Sequence, residues 1–215
     1  MRILLLTHGF NGLAQRMFVE LTDLGHELSV EFDISDAVTL EAVARFRPRV
    51  VLAPYLRRAI PEPVWRAVPC LVVHPGPPGD RGPSALDWAI QEGRERWGVT
   101  VLQAQAGWDA GPVWAHAAFD LRPGTKGSLY RFEVTEAAVA AVLEALHRLE
   151  RGIPPAPVPA ERVAERPLMR QADRVFAWED GSAAILRKLR AADGWPGVRS
   201  SLFGQPCHLY DPRPD

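Results

Sequence analysis

Lysine is scarce in this 215-residue chain: of 25 basic residues only Lys126 and Lys188 are lysines, and the rest are arginines. Cysteine is as rare, with Cys70 and Cys207 alone. Two thiols cannot make a disulfide scaffold, and their scarcity fits a reducing, cytoplasmic setting. Long apolar runs are missing. Runs such as residues 3–6 and 50–53 fall far short of the ~20 residues a membrane span needs. The opening MRILLLT has neither the apolar stretch nor the small-residue cleavage site of a signal peptide. No sign of charge dominates: 25 basic against 26 acidic residues leave a net charge of −1. Nothing global therefore points to nucleic acid as a partner. No glycine-rich dinucleotide motif or phosphate-loop motif occurs. His8, His26, His116, His147 and His208 are dispersed without metal spacing, so no metal site is expected.

What is present is an ordinary globular composition, 47% hydrophobic and 24% charged. A chain of this size buries roughly 70% of its unfolded surface, enough for a core without staples. Residues 2–7 form an Ile/Leu run, the pattern of a strand buried on both faces. A turn-forming stretch, His8-Gly9-Phe10-Asn11-Gly12, follows. Leu13, Met17, Leu21 and Leu24 then repeat at helical spacing. Strands are predicted at 27–32, 50–53, 70–73, 98–105 and 113–119, the last antiparallel to its predecessor. Helices are predicted at 39–46, 84–93 and, as one long Ala-rich element, 129–151. This strand–helix rhythm argues an α/β fold with a mainly parallel, Rossmann-like sheet. Pro154, Pro155, Pro157 and Pro159 then exclude helix and central strand. The expected organisation is a domain at 1–151, a proline-rich linker at 152–167 and a small C-terminal subdomain at 168–215. In the latter, a short element at 175–178 and a helix at 182–192 are expected.

The segment His74-Pro75-Gly76-Pro77-Pro78-Gly79-Asp80-Arg81-Gly82-Pro83-Ser84 leaves a buried strand and enters a helix. In open α/β sheets ligands bind beyond the carboxyl ends of strands. His74 is either a titrating group in such a cleft or a loop histidine bonded to a carbonyl. Asp109, in Gly107-Trp108-Asp109-Ala110-Gly111, is either a second proton-transfer group in the same cleft or a turn aspartate. Phe10 and Asn11 either contact ligand or serve the turn and helix cap. Asp80 and Arg81 read as an ion pair that shapes the loop, and Asp87 and Trp88 as packing and capping residues. Trp108 either stacks on a ligand or closes the cleft. Cys70 reads as a buried small hydrophobe.

His74, the Arg81-Gly82 step and Asp109-Ala110-Gly111 resemble the signature of folate-dependent formyltransferases, the group of methionyl-tRNA and glycinamide-ribonucleotide formyltransferases. Pro54-Tyr55 through Ile60-Pro61 is similar to the loop lining one side of that family's folate pocket. The run Gly79-Asp80-Arg81-Gly82-Pro83-Ser84-Ala85-Leu86-Asp87-Trp88 resembles one branch, the hydrogenase-maturation formyltransferase-like proteins, as do 97–104, 128–137, 166–173 and 203–210. Residues 185–197, with Trp195-Pro196-Gly197, resemble the start of the family's C-terminal domain.

The resemblance implies 10-formyltetrahydrofolate as formyl donor, with coenzyme A as acceptor. The formyl carbon would be the source of the carbon monoxide ligand of nickel–iron hydrogenase. It also implies a longer protein, continuing into a hydratase-like half, and hydrogenase maturation proteins as partners. By the same resemblance His74 and Asp109 would be catalytic. Tyr55, Ile60, Val72, Val73, Pro75, Gly76, Arg81, Ala104, Gln105 and Trp108 would line the folate site together with Phe10 and Asn11. One departure stands out. The family's catalytic Asn, two residues before the His, falls on Val72, which cannot donate to an oxyanion. Two other readings follow: an amine formyltransferase acting on a sugar nucleotide or methionyl-tRNA, or a folate-binding scaffold without turnover. Residues 160–215 carry nine basic and eight acidic residues, 9 − 8 = +1, without the basic surface that tRNA backbone contacts need.

Overall fold

A computed structural model describes residues 1–192 and 196–212; Trp195 lies outside the described residues. The chain runs β1 (Arg2–Thr7), α1 (Gly12–Asp23), β2 (Glu27–Phe32), α2 (Asp36–Phe46), β3 (Val50–Tyr55), α3 (Glu62–Ala67) and β4 (Cys70–His74). It continues through β5 (Asp80–Arg81), α4 (Ala85–Gln91), β6 (Arg96–Gln103), β7 (Val113–Asp120), α5 (Lys126–Leu129) and α6 (Thr135–Glu150). Beyond the prolines come β8 (Ala164–Glu165), α7 (Ser182–Ala191), β9 (Val198–Leu202) and β10 (Gln205–Leu209).

Six strands form one sheet in the order β2-β1-β3-β4-β6-β7. The β1–β2, β1–β3 and β3–β4 pairs are parallel, whereas β6 runs antiparallel to both β4 and β7. Alternation along the strands splits the core between the two faces. Ile3, Leu5, Val50, Leu52, Leu71, Val73, Val99 and Val101 meet Met17 and Leu21 of α1, Leu86 and Ala89 of α4 and the Ala-rich face of α6. Leu4, Leu6, Val51, Ala53 and Cys70 meet Ile60 and Val64, with α2 outside them. Cutting any fully buried Leu here to Ala costs about 2–5 kcal/mol. Burial pushes the Cys70 thiol up to about 12, so it stays protonated and acts as an apolar filler. Helix starts follow side-chain chemistry: Asn11 Oδ1 accepts from the Ala14 N–H and Ser35 Oγ from the Val38 N–H.

Three elements differ from expectation. The long helix is interrupted by one π-helical stretch at Tyr130–Val134, where Thr135 Oγ1 donates to the Tyr130 carbonyl. The loop after β3 contains α3, whose start at Glu62 uses flanking Pro61 and Pro63, residues compatible with a first helical turn. Residues 175–178 are irregular, with Phe176 and Trp178 packed edge to face. Among the described residues no helix is long and apolar enough to cross a membrane.

The chain beyond the prolines returns to the main sheet's loops. Ala156 and Val113 exchange two backbone hydrogen bonds. β8 pairs in parallel with β5, and the Arg166 N–H donates to the Arg81 carbonyl. Met169 is buried, and its N–H donates to Ser84 Oγ. This close approach explains two glycines. Gly79 and Gly82 both have positive φ, and a Cβ on either would lie within 2.3 Å or less of the Arg162 or Arg166 carbonyl oxygen. α7 and the β9–β10 hairpin enclose a small cluster of Leu189, Ala192 and Val198.

Candidate functional site

His74 is the last residue of β4, on the same strand face as Val72, and is only 3% exposed. Its Nε2 lies 3.1 Å from Asp80 Oδ1 and its Nδ1 lies 3.5 Å from Asp109 Oδ2. Asp80 and Asp109 thus flank the ring on its two nitrogens. The Nε2 contact is a hydrogen bond; 3.5 Å at Nδ1 is longer than one. Nδ1 and Asp109 Oδ2 are therefore the facing polar atoms whose mutual bond is not closed.

Asp109 reaches this position by an indirect route. Because β6 is antiparallel to β4, Gln103 pairs with Leu71, at the start of β4. The loop after β6 thus leaves the sheet at the far end from His74. It folds back, pinned by the Ala104 N–H to the Cys70 carbonyl, the Gln103 N–H to the Pro112 carbonyl and Gln105 Nε2 to the Ala110 carbonyl. Asp109 has φ +49, a left-handed conformation that Asp tolerates, and its Oδ2 accepts from the Gly82 N–H at 3.1 Å.

Asp80 does not pair with Arg81, as the adjacent charges suggested. In a strand pair, neighbouring side chains point to opposite faces, and Asp80 turns inward between His74 and Arg166. Arg166 Nε donates to Asp80 Oδ2 at 2.6 Å; its guanidinium also pairs with Glu92 and lies 5.5 Å from the centre of the Trp97 ring. Asp87 is likewise more than a packing residue. It is buried and takes ion pairs from Lys126 and Arg174, both at 2.9 Å. Burial by itself would raise the Glu92 carboxyl, but hydrogen bonds from Arg166 and Arg94 hold it below its ordinary value.

Gly76 closes the ring's surroundings. Its carbonyl accepts from Thr100 Oγ1 at 2.7 Å, and a Cβ there would lie 2.5 Å from His74 Nε2 and 2.6 Å from Asp80 Oδ1. The Pro75 carbonyl accepts from Trp97 Nε1.

A cavity of about 500 Å³ opens between two loops: Asp36, Arg58, Ile60, Pro61 and Trp65 on one side, Gln105, Ala106 and Gly107 on the other. That volume suits a drug-sized heterocycle. Apolar Ile60 and Trp65 offer flat contact, and Arg58 and Gln105 offer polar groups. Val72 and Ala104 pack against the core cluster that contains Ile60 on this face, and the loop that brings Gly107 to the cavity carries Asp109 to His74.

Other expected residues lie elsewhere. Val73 belongs to the core cluster on the opposite face of β4, because side chains alternate along a strand. Trp108 is 61% exposed beside the cavity. Asn11 caps α1, and Phe10 packs edge to face on Phe18. The Tyr55 hydroxyl accepts from Arg57 Nε, and its carbonyl accepts from the His8 N–H. Asp80 as a partner of His74, and Arg166 and Trp65 altogether, were not anticipated. Nothing local in sequence links Arg166 to an aspartate 86 positions earlier. Among the described residues no group of three His, Cys, Asp or Glu could hold a metal ion.

Comparison with known proteins gives this geometry a context. The formyl transferase family pattern matches residues 29–146. Hydrogenase maturation factor HoxX of Bradyrhizobium diazoefficiens is 56% identical across 98% of this chain and 38% of its own length. The crystal structure of HypX from Aquifex aeolicus in complex with tetrahydrofolic acid superposes with a TM-score of 0.93 at 46% identity, over 98% of this chain and 37% of that one. The methionyl-tRNA formyltransferase from Clostridium thermocellum shares the fold, with a TM-score of 0.73 at 18% identity over 96% of each chain. The chain thus spans well under half the length of the first two relatives.

Proposed function

This chain belongs to the formyl transferase family, and from that premise we propose that it binds 10-formyltetrahydrofolate and passes on the formyl group during maturation of nickel–iron hydrogenase. The observation that carries the reading is the imidazole of His74 held between Asp80 and Asp109, the latter on the loop whose Gln105–Gly107 stretch lines a cavity of about 500 Å³. The folate complex of the HypX relative supports the choice of donor. The pterin would lie between the 58–61 and 105–107 loops, with Ile60 and Trp65 as its apolar walls.

In the reaction, the lone pair of His74 Nδ1 takes the proton of the incoming nucleophile, and Asp109 orients that nucleophile. The acceptor is the thiol of coenzyme A. Its sulfur bonds to the formyl carbon, the bond from that carbon to N10 of the folate breaks, and the thiol proton ends on N10. A hydratase-like second half, or hydrogenase maturation proteins, would receive the product, whose formyl carbon becomes the metal's carbon monoxide. Val72 favours a second reading, folate binding without turnover, because an oxyanion donor is typically worth about 3 kcal/mol.

The deciding experiment follows 10-formyltetrahydrofolate loss with coenzyme A present, beside calorimetric titration with 5-formyltetrahydrofolate. His74→Ala should lower turnover by about 10²–10⁴-fold and leave the analogue's affinity within a few-fold. Wild-type turnover in that variant overturns the catalytic assignment. Binding without turnover in the wild type establishes the scaffold reading.

A further inference from the structure

We infer that Asp80 and Arg166 are positioning residues for His74, so that the segment beyond the prolines completes the site built by the main sheet. The inference rests on the reading of His74 just given. Among the described residues, the one hydrogen bond to the His74 ring runs from Nε2 to Asp80 Oδ1, and both side chains are buried. A histidine whose second nitrogen is bonded to a carboxylate has its tautomer and ring angle fixed. Asp80 in turn needs a partner, because a buried carboxylate is costly unless paired and hydrogen-bonded. Arg166 supplies it through Nε.

Arg166 is itself held on three sides. Its terminal nitrogens bond Glu92 beyond α4, its plane lies over Trp97, and its backbone N–H donates to the Arg81 carbonyl. Trp97 also holds the Pro75 carbonyl, beside the His74 ring. The line Glu92–Arg166–Asp80–His74 thus ends with Nδ1 facing Asp109 and free of a closed bond. Its consequence for the reaction is direct. With Nε2–H donated to Asp80, Nδ1 keeps the lone pair that takes the proton of the incoming nucleophile. Without Asp80, the ring proton has its nearest acceptor at Asp109, and Nδ1 is consumed there.

The test uses the full chain and reads two signals. The first is the ring ¹⁵N spectrum of His74. The proton should sit on Nε2 in the wild type and move to Nδ1 in Asp80→Asn. The second is turnover of 10-formyltetrahydrofolate with coenzyme A. Asp80→Asn should lower kcat by about 10–100-fold while KM for the folate stays within about twofold, the range for residues that orient a working side chain. Arg166→Lys keeps the charge but loses the fork to Glu92, so it should fall between wild type and Arg166→Ala. Where Arg166→Ala leaves the Asp80 charge unpaired and does not fold, Arg166→Lys and Asp80→Asn carry the test. Unchanged ring ¹⁵N signals and unchanged kcat in Asp80→Asn overturn the inference. A His74→Ala enzyme with full turnover overturns the catalytic reading instead; the positioning relation then stands or falls on the ¹⁵N signals alone.

Discussion

Asp109 Oδ2 lies 3.5 Å from His74 Nδ1, although the strand carrying the Asp109 loop ends beside the start of β4, not beside His74. The separation of Leu71 and His74 along β4, about 10 Å at 3.3 Å per residue, is covered by the returning chain. The closeness of His74 and Asp109 therefore depends on loop hydrogen bonds as much as on the sheet.

Gly76→Ala should damage the site more than the fold. The added methyl would meet His74 Nε2 at 2.5 Å and Asp80 Oδ1 at 2.6 Å, and so pries their bond apart. Overpacking of this kind costs about 1–3 kcal/mol. A melting curve should show a folded, moderately destabilised protein, while the turnover assay shows a loss as large as that of Asp80→Asn. Wild-type kcat would contradict the role given to this contact.

Val72→Asn places an amide two residues before His74 on the same strand face. If an oxyanion donor is what the site lacks, turnover of 10-formyltetrahydrofolate should rise about tenfold or more. The apolar cluster that Val72 packs against makes the same change destabilising, visible as a lower Tm. A folded variant with no gain would show that the missing amide is not rate-limiting.

Ile60→Trp fills the cavity between the 58–61 and 105–107 loops. Calorimetry with 5-formyltetrahydrofolate should record at least a tenfold weaker Kd, and because Ile60 also packs in the core the overpacking should lower the Tm of a still-folded protein. Unaltered affinity would move the folate site elsewhere.

Glu92 gives a pH signature. Burial raises its carboxyl, but the Arg166 and Arg94 hydrogen bonds outweigh this and hold it below its ordinary 4.5. A carboxyl depressed on folding contributes stability above its unfolded value and loses it as pH falls through the folded value. The Tm difference between wild type and Glu92→Gln should thus be full above about 4.5 and shrink in acid. A difference independent of pH would remove Glu92 from the clamp.

Much of the fold was legible in the residues. The Ile/Leu run of β1, the helical spacing in α1 and the proline cluster after α6 each encode their element locally, through burial, periodicity and the missing proline N–H. His74 and Asp109 could be singled out as chemistry on glycine-bearing loops. The residues could not say that β6 turns against β4, because reversal of a strand is decided by pairing, not by its own sequence. Nor could they assign Asp80, whose adjacent Arg81 offered the obvious partner. Only the assembled chain decided that Asp80 faces inward to His74 and that Arg166, 86 positions later, lies there to neutralise it. A buried carboxylate needs a counter-charge wherever the fold can deliver one, and the fold delivers it from the far side of the prolines.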